Sequence, residues 1–472
     1  MSSVNPSYPE QLAIVPLTKP PRTTVRVPGS KSITNRALIL AALTSRGGTC
    51  ALHGALRSED TEVMIECLRA LGFRVLTEWT ESAVFVSSGA NQPLIPARSA
   101  DLFVANSGTT MRFLTAVVSL GHGRFRLDGV PRMRERPIKD LLDALQQLGV
   151  NAFSECRNDC PPVVVKANGL PGGFVRIKGD ISSQFLSGLL LAAPFAAGPL
   201  TLRVGGQLVS SPYVFMTVQM LQQWGLEGSY HLGGDCADFA GRSAFLGPAR
   251  FGHEARSACF HIPGGQPMEP SLRALRTYEI EPDASAASYF AAAAAITGGR
   301  VTIAGIPKRS LQGDVHFVDV LAETGCRIER GSTGIAVHGG PLRGIDVDMN
   351  DISDTVMTLA AVACFAEGPT TIRNVAHIRH KETDRLAALA AELRRVGAQV
   401  EEFADGLTIT PRPLHGAEIE TYNDHRMAMS MALIGLRVPG IVIKDPGCVA
   451  KTYPHFFADL ERLRGEPQED RS

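Results

Sequence analysis

Seven basic residues lie at or beside the beginnings of predicted elements in this sequence of 472 residues. They are Lys31, Arg36, Arg136, Lys381, Arg385, Arg426 and Lys451. Three of the predicted helices begin with the polar stretches GSKSITNR, DISSQF and YNDHR, and each stretch is followed by an apolar run. The first N–H groups of a helix have no partner within the helix, and an anion satisfies them well. The sequence therefore predicts a site for a small ligand that carries several negative charges.

The basic residues at these positions are not part of a general excess of positive charge in the chain. Lys and Arg together number 47, as do Asp and Glu, so the formal net charge is zero. A neutral chain with few aromatic residues gives no general argument for binding nucleic acid or a membrane surface. We therefore expect small-molecule substrates, with no nucleic acid and no membrane as partner.

Patterns of the common cofactor and metal sites are absent from the sequence. It contains no GxxxxGK[ST] loop, no GxGxxG after a first strand, and neither GxSxG nor HExxH. Its nine cysteines are scattered, and no His/Cys cluster completes a zinc pattern. We expect no metal ion and no organic cofactor, and we expect the thiols to be free.

The N-terminal segment lacks the basic region and apolar run of a signal peptide. The longest apolar stretches are shorter than the ~20 residues of a membrane-spanning helix. We therefore expect a cytoplasmic protein.

The elements that would position the cations belong to a pattern that recurs six times. A polar residue, an apolar run of helical length, a Gly and a short β-rich run follow one another at intervals of about 70 to 75 residues, apart from one longer interval. The copies begin at Ser32, Ser107, Ser182, Asp283, Asp354 and Asn423. The runs are rich in Ala and Leu and apolar almost all round, which predicts buried helices with the polar residue as N-cap.

Second helical segments and further β-rich runs lie between the copies, so the chain is predicted to consist of six βαβαββ-like units. The longer interval, between Ser182 and Asp283, contains a Gly- and Ala-rich stretch near 233–259. We interpret that stretch as a surface insertion. Three units before it and three after it indicate two similar domains.

Ten motifs resemble, in order, the signatures of EPSP synthases, a family of enolpyruvyl transferases. The motifs are PGSKSITNRALILAA, NSGTTMR, PRMRERPI, GDISSQFLSGLLLAAP, SSPYV, DASAASYF, SDTVMT, RHKETDRL, YNDHRMAM and DPGCVAKTYPHFF, and the resemblance spans roughly Val15 to Leu463. The resemblance implies transfer of the enolpyruvyl group of phosphoenolpyruvate to the 5-hydroxyl of shikimate 3-phosphate, by addition and elimination. This is a step of aromatic amino acid biosynthesis and the target of glyphosate.

The resemblance also implies a fold and an assembly. The fold is a two-domain inside-out α/β barrel with six βαβαββ units, three in each domain. Residues 1–29 and 282–472 would form the lobe that holds both termini, and residues 30–281 the inserted lobe. We expect a monomer.

By position in the motifs, the resemblance assigns residues to the two substrates and to the chemistry. The shikimate 3-phosphate group is Lys31, Ser32, Arg36, Ser182, Ser183, Gln184, Ser210, Tyr213, Asp354 and Lys381. The phosphoenolpyruvate group is Lys31, Gly108, Arg136, Gln184, Arg385, Arg426 and Lys451. For proton transfer, Asp354 is the candidate base and Glu382 the candidate acid, with Lys31 assisting.

Several of these residues have a purely structural alternative. Asp354 and Asp283 occupy equivalent positions in the repeat, and either could be only an N-cap. We favour catalysis for Asp354 and capping for Asp283. Ser182 and Ser183 could also be only caps. We expect His425 to pack in the core, and whether His377 contacts substrate stays open.

Three other functions fit the sequence less well. The sister enzyme that uses a UDP-amino sugar relies on a reactive Cys in a loop, and the corresponding stretch GHGRFRLDGVPRMRERP has none. A non-catalytic binding protein would be expected to have lost Lys31, Asp354 or Glu382, and all three are present. The zero net charge argues against a nucleic-acid-binding protein.

Overall fold

The structure is a computed structural model that describes residues 6–232, 257–266 and 276–465. The chain divides into two compact units: unit one is Met1–Gly29 with Glu281–Ser472, and unit two is Ser30–Ile280. The surface insertion predicted near 233–259 lies outside the described residues, except for its last three, where a strand begins.

The described residues contain α-helices in both units. In chain order they are α1 (Lys31–Thr44), α2 (Glu59–Ala70), α3 (Gly108–Val117), α4 (Lys139–Gln147), α5 (Ser183–Ala192), α6 (Ser211–Gln223), α7 (Ala284–Thr297), α8 (Phe317–Glu323), α9 (Val356–Ala363), α10 (Arg385–Arg395), α11 (His425–Gly435) and α12 (Phe456–Glu461).

The strands alternate with the helices. In chain order they are β1 (Gln11–Ile14), β2 (Arg22–Val25), β3 (Thr49–His53), β4 (Arg74–Glu78), β5 (Ala83–Ser87), β6 (Ser99–Phe103), β7 (His122–Asp128), β8 (Asn151–Ser154), β9 (Val163–Asn168), β10 (Gly173–Lys178), β11 (Leu200–Gly205), β12 (Ser229–Leu232), β13 (Ser257–Ile262), β14 (Thr277–Glu279), β15 (Arg300–Ala304), β16 (Arg327–Arg330), β17 (Gly334–His338), β18 (Asp346–Asp348), β19 (Thr370–Arg373), β20 (Gln399–Phe403), β21 (Gly406–Thr410), β22 (Glu418–Ile419) and β23 (Ile441–Lys444).

The described strands form several small sheets with a common topology, and the chain is a mixed α/β protein. In the sheet β6-β7-β9-β8, β6 runs parallel to β7, β9 runs antiparallel to β7, and β8 pairs antiparallel with β9. The sheets β10-β11-β13-β12, β14-β3-β5-β4, β2-β15-β17-β16 and β18-β19-β21-β20 have the same arrangement. In β22-β23-β1, the N-terminal strand β1 pairs antiparallel with β23, with Gln11 opposite Lys444.

In five of these sheets, a residue with a left-handed backbone conformation directly follows one inner strand: β3, β11, β15, β19 or β23. These residues are Gly54 (φ 70°), Gly206 (φ 79°), Gly305 (φ 84°), Asn374 (φ 63°) and Asp445 (φ 45°). Gly adopts this conformation without steric cost, and Asn and Asp are the side chains that tolerate it best. The sharp turn leads the chain from the strand into the next helix or 3-10 turn. It therefore recurs with the sequence repeat.

The helices predicted to be buried form the core of each unit. In unit one, α7, α9 and α11 pack on one another, and every residue of α9 is buried. In unit two, α1, α3 and α5 do the same, and a Cβ on Gly188 of α5 would lie 2.9 Å from the backbone carbonyl of Arg112 on α3. Small residues thus permit the close approach of these helices.

The predicted N-caps are partly confirmed. Ser107, Ser182 and Asp283 cap α3, α5 and α7 with their side chains. At the first copy the prediction is wrong, because Ser30 rather than Ser32 caps α1. At the fifth copy, Asp354 lies in a 3-10 turn, Asn350–Thr355, so it does not cap α9. At the sixth, Asp424 rather than Asn423 is the cap, of α11.

The expectation of free thiols holds for seven cysteines and is wrong for Cys259. Cys50, Cys67, Cys156, Cys160, Cys326, Cys364 and Cys448 are free. Cys259, in β13, is disulfide-bonded. Within the described ranges, no helix is long and apolar enough to cross a membrane.

Candidate active site

Charged residues of unit one converge from four places where a helix or a 3-10 turn begins or ends. Asp354 precedes α9, Lys381 and Glu382 follow the 3-10 turn Ala376–His380, and Arg385 is the first residue of α10. Arg426 lies in the first turn of α11, and Lys451 ends the 3-10 turn Pro446–Lys451. We call these six residues, together with Asp424, the Arg385 cluster.

Arg385 lies at the centre of the cluster and contacts three carboxylates. Its Nε donates to Asp424 Oδ2 at 2.7 Å, and its Nη2 to Glu382 Oε2 at 2.8 Å. Its Nη1 donates to Asp354 Oδ1 at 3.3 Å. Burial alone would lower the pKa of Arg385, but these three carboxylates raise it above its ordinary value. The guanidinium therefore joins the two candidate proton-transfer residues.

The two candidate carboxylates differ in their cation partners. Asp354 accepts from Arg426 Nη2 at 2.7 Å and lies 3.8 Å from Lys381 Nζ. Glu382 Oε1 lies 3.7 Å from Lys451 Nζ. Both carboxylates contact Arg385. Apart from it, Asp354 contacts Lys381 and Arg426, whereas Glu382 contacts Lys451. Removing one carboxylate leaves the partners of the other in place.

Asp424 was missed as a functional residue by the sequence reasoning. Its side chain is fully buried, and it accepts from the backbone N–H of Arg426 at 2.9 Å besides binding Arg385. It therefore fixes both arginines with one carboxylate. The signal available was its position in NDHR, directly before a buried helix.

Two histidines lie beside this cluster. His377 is buried, and burial, with a smaller effect of Lys381, lowers its pKa to about 3. Its imidazole is therefore neutral. His425 begins α11 and is buried, with Nδ1 3.5 Å from Asp424 Oδ1. This position agrees with the expectation of a packed core histidine.

In unit two, Lys31 and Arg36 lie on one helix, α1. Lys31 Nζ is 3.2 Å from the buried carboxylate of Asp60, in the first turn of α2. Ser32 is half-buried, and its carbonyl accepts from Arg36 Nη1 at 2.9 Å.

Arg36 is almost wholly buried, with 1% of its surface exposed. It donates to Thr217 Oγ1 at 2.7 Å, and its guanidinium lies 4.9 Å from the centre of the Phe113 ring. Its further acceptors among the described residues are the hydroxyl of Ser187 and the carbonyls of Ser32 and Tyr213. Burial lowers its pKa to about 9. Arg36 thus ties α1 to α5 and α6 through neutral acceptors and an aromatic face.

At the start of α3, the Arg136 guanidinium fills the space that a side chain at position 108 would need. Arg136 Nη1 donates to the carbonyl of Asn106 at 3.2 Å. A Cβ on Gly108 would lie 2.5 Å from Arg136 Nη2, closer than real contacts allow. The absence of a side chain at Gly108 is therefore what lets the Arg136 guanidinium lie over the beginning of the helix.

The remaining predicted residues of unit two lie at the beginnings of α5 and α6. Ser182 Oγ accepts from the backbone N–H of Gln184 at 3.3 Å, so Ser182 does cap α5, while Ser183 is the first residue of that helix. Ser210 precedes α6 in the left-handed conformation (φ 51°), and Tyr213 lies in the first turn. Backbone strain at a non-Gly residue is common where a side chain must be aimed at a ligand.

Hydrogen bonds and ion pairs join all the predicted residues of unit one in the Arg385 cluster. In unit two, contacts join Arg36 to Tyr213 and Gly108 to Arg136, and the other predicted residues lie at the beginnings of α1, α5 and α6. Over the described ranges, no group of three or more His, Cys, Asp and Glu residues is placed to hold a metal ion.

Comparison with known proteins gives a family match over both units. A model of the family "EPSP synthase (3-phosphoshikimate 1-carboxyvinyltransferase)" matches residues 17–230 and 255–460. The chain is 45% identical over 458 residues to the 3-phosphoshikimate 1-carboxyvinyltransferase of Trichormus variabilis, covering 97% of this chain and 100% of that one. It is 46% identical over 449 residues to the enzyme of that name from Nostoc punctiforme, covering 95% and 98%.

Among solved structures, an EPSP synthase from Acinetobacter baumannii has a similar fold. The TM-score is 0.73 at 24% sequence identity, and the match covers 96% of this chain and 98% of that one.

Proposed function

The chain belongs to the EPSP synthase family, and we propose that the Arg385 cluster and the residues around Lys31 perform the reaction of that family in this protein. The enzyme is a 3-phosphoshikimate 1-carboxyvinyltransferase. It transfers the enolpyruvyl group of phosphoenolpyruvate to the 5-hydroxyl of shikimate 3-phosphate and releases phosphate.

The observation that carries the residue assignment is the pairing of two carboxylates on one guanidinium. The reaction needs a base for the 5-hydroxyl proton and an acid for the methylene carbon of phosphoenolpyruvate. Asp354 and Glu382 both contact Arg385 and lie among Lys381, Arg426 and Lys451. Cations of this kind hold carboxylate and phosphate groups, and Arg does so through paired donors.

The proposed reaction has two steps that balance in atoms and charge. In the addition, Asp354 takes the proton of the 5-hydroxyl, and the oxygen of that hydroxyl bonds to C2 of phosphoenolpyruvate. Glu382 gives a proton to C3. In the elimination, the bond from C2 to the phosphate oxygen breaks, the methyl group loses a proton to Glu382, and Asp354 passes its proton to the leaving phosphate. Lys31, held by Asp60 at 3.2 Å, can assist the hydroxyl or the leaving phosphate.

We assign shikimate 3-phosphate to the residues of unit two around α1, α5 and α6, with Lys381 and Asp354 of unit one. Phosphoenolpyruvate is assigned to Lys451 and the arginines of the Arg385 cluster and to the Gly108 and Arg136 pair. Gln184 is assigned to both substrates. The assignment is supported by the helix beginnings at which these side chains lie.

The direct test of the function is phosphate release. The purified protein is expected to release phosphate only when phosphoenolpyruvate and shikimate 3-phosphate are both present. Release from phosphoenolpyruvate alone, or none with both, would contradict the proposal.

The proposal extends to the architecture, the oligomeric state and the cellular location. We propose six βαβαββ units in a two-domain inside-out α/β barrel, with residues 1–29 and 282–472 in one lobe and 30–281 in the other. The recurring sheet topology and left-handed turn support this. We further propose a cytoplasmic monomer.

Activity is expected to survive removal of divalent metal ions, because Lys and Arg side chains supply the positive charge that a metal would otherwise bring to phosphate. The measurement is phosphate release after dialysis against EDTA, with an undialysed sample as control. A complete loss of activity that a divalent metal restores is the result that would contradict this.

Gly108→Ala is expected to make the enzyme tolerant of glyphosate, which competes with phosphoenolpyruvate in this family. The new Cβ would lie 2.5 Å from Arg136 Nη2, so this guanidinium must move. In this family the inhibitor packs against the glycine at this position, and a methyl group that crowds the inhibitor by about 1–3 kcal/mol would weaken its binding roughly 5- to 150-fold. We expect the inhibition constant to rise by that factor and the KM for phosphoenolpyruvate to rise less, since the inhibitor is longer than the substrate.

The matched control is Gly48→Ala, because a Cβ on Gly48 meets nothing within 4 Å. Inhibition is measured at several phosphoenolpyruvate concentrations for the wild type and both variants. Equal sensitivity of wild type and Gly108→Ala would show that this contact does not shape the site.

A further inference from the structure

Tyr289 is a buried phenol that the reaction described above does not use. It lies in the second turn of α7, with 1% of its surface exposed, and its ring meets the edge of the Phe456 ring at 5.4 Å. Its hydroxyl is directed at the Arg385 cluster, where it accepts from Arg426 Nη1 at 3.4 Å. The other terminal nitrogen of Arg426 donates to Asp354. The phenol oxygen and the Asp354 carboxylate therefore lie at the two ends of one guanidinium.

The hydrogen of the Tyr289 hydroxyl has no acceptor in the described part of the chain. Its one hydrogen bond there is the bond it receives from Arg426. A buried donor that makes no hydrogen bond costs free energy, and such groups are rare in native proteins. Burial raises the pKa of Tyr289 to about 12, so the group keeps its proton at neutral pH. The hydroxyl is thus a neutral donor beside a cation.

We infer that Tyr289 is a further phosphoenolpyruvate-binding residue, whose hydroxyl donates its hydrogen to an oxygen of the anion that Arg426 holds. The inference rests on the proposed function, which places phosphoenolpyruvate at Arg426. An oxygen that accepts from Arg426 beside Nη1 lies within reach of the phenol, because the two groups are themselves 3.4 Å apart.

A neutral donor has a specific use in this cluster. The cations already number four, and a further one would repel them and hold the product phosphate more tightly. The phenol adds a hydrogen bond to a charged oxygen without adding charge. Hydrogen bonds of this kind are stronger than those between neutral groups.

The test is Tyr289→Phe, which removes the hydroxyl and keeps the ring against Phe456. We expect the KM for phosphoenolpyruvate to rise about tenfold, the loss of one hydrogen bond to a charged group. We expect kcat to change by less than about threefold and the KM for shikimate 3-phosphate to stay unchanged. A general loss of packing would not produce this split between the two substrates.

Tyr453→Phe is the matched control. Tyr453 is buried, its ring also meets Phe456, and its hydroxyl donates to Asp459 at 2.8 Å. That variant also loses one hydroxyl bond to a charged group, but away from Arg426. We expect it to lower the melting temperature and leave both KM values at wild-type levels.

A double-mutant cycle with Arg426→Lys supplies an independent measurement. The loss due to Tyr289→Phe is expected to be smaller in the Arg426→Lys background, since the hydroxyl acts on an anion held by Arg426. If the wild type is active and Tyr289→Phe has a KM for phosphoenolpyruvate within twofold of wild type, the inference is wrong while the function stands. If the wild type releases no phosphate, the proposed function itself is wrong.

Discussion

Replacing Asp354 by Asn is expected to lower kcat by at least about 100-fold, the lower range for loss of a general base. The amide oxygen of Asn can still accept from Arg426, so the substitution removes the basic oxygen with little change of shape. The KM values are therefore expected to change by much less than kcat. The measurement is phosphate release under saturating substrates, with thermal unfolding of the variant to verify the fold.

Asp283→Asn is the control for this prediction, because Asp283 holds the equivalent position in the repeat. Its carboxylate accepts from the backbone N–H of Ala286 at 2.8 Å and caps α7. Asn caps a helix about as well as Asp, so this variant is expected to keep near-normal activity. Equal activity of the two variants would remove Asp354 from the mechanism and leave both residues as structural.

Glu382→Gln is expected to slow turnover by a similar factor, at least about 100-fold. In the proposed mechanism the protonated carboxyl group gives its proton to carbon in the addition and the carboxylate recovers one in the elimination, and an amide does neither. The amide oxygen can still accept from Arg385 Nη2, now 2.8 Å from the carboxylate. Both substrates are therefore expected to bind, and a stopped-flow experiment is expected to show binding without the release of phosphate.

Asp384→Asn is the matched control for Glu382, two residues further along. Asp384 caps α10 and binds Arg379 with both oxygens, at 3.0 and 2.9 Å. It carries the same charge but contacts no residue assigned to the substrates. Near-normal turnover of Glu382→Gln, with the fold intact, would show that another group transfers the proton.

The sequence alone predicted the helices well, because each apolar run that follows a polar residue in the repeat forms a helix in the structure. Ser107, Ser182 and Asp283 cap their helices as expected. The same pattern failed at Asp354, where a 3-10 turn comes between the aspartate and the helix. Residue propensities cannot reveal such a turn, because the same residue types are favoured at an N-cap and in a turn that precedes a helix.

The ion pairs were beyond sequence reasoning for a different reason. Asp424 binds Arg385 across 39 positions of sequence, and Arg426 binds Asp354 across 72. Each pair joins two repeats, so the partner is determined by packing of the helices and not by the local motif. Tyr289 was hidden within an apolar run for the same reason. Its ring satisfies the helical pattern, and only the coordinates show that its hydroxyl meets a guanidinium.

At Gly108 the structure adds a physical reason that the motif alone does not show. The resemblance assigns this glycine to phosphoenolpyruvate by its position in the motif. In the structure the nearest group to a missing Cβ is Arg136, which belongs to the protein itself. A glycine can thus serve a binding site by leaving room for the binding side chain.

The pairing of β1 with β23 has a consequence for the order of events during protein synthesis. Residues 11–14 leave the ribosome hundreds of residues before their partners, 441–444. At about 5–20 residues per second, that delay is roughly 20 to 90 seconds. Unit two is one continuous segment whose strands are all made in the meantime. It can therefore fold while the chain is still growing, whereas unit one waits for its oldest strand to meet its youngest.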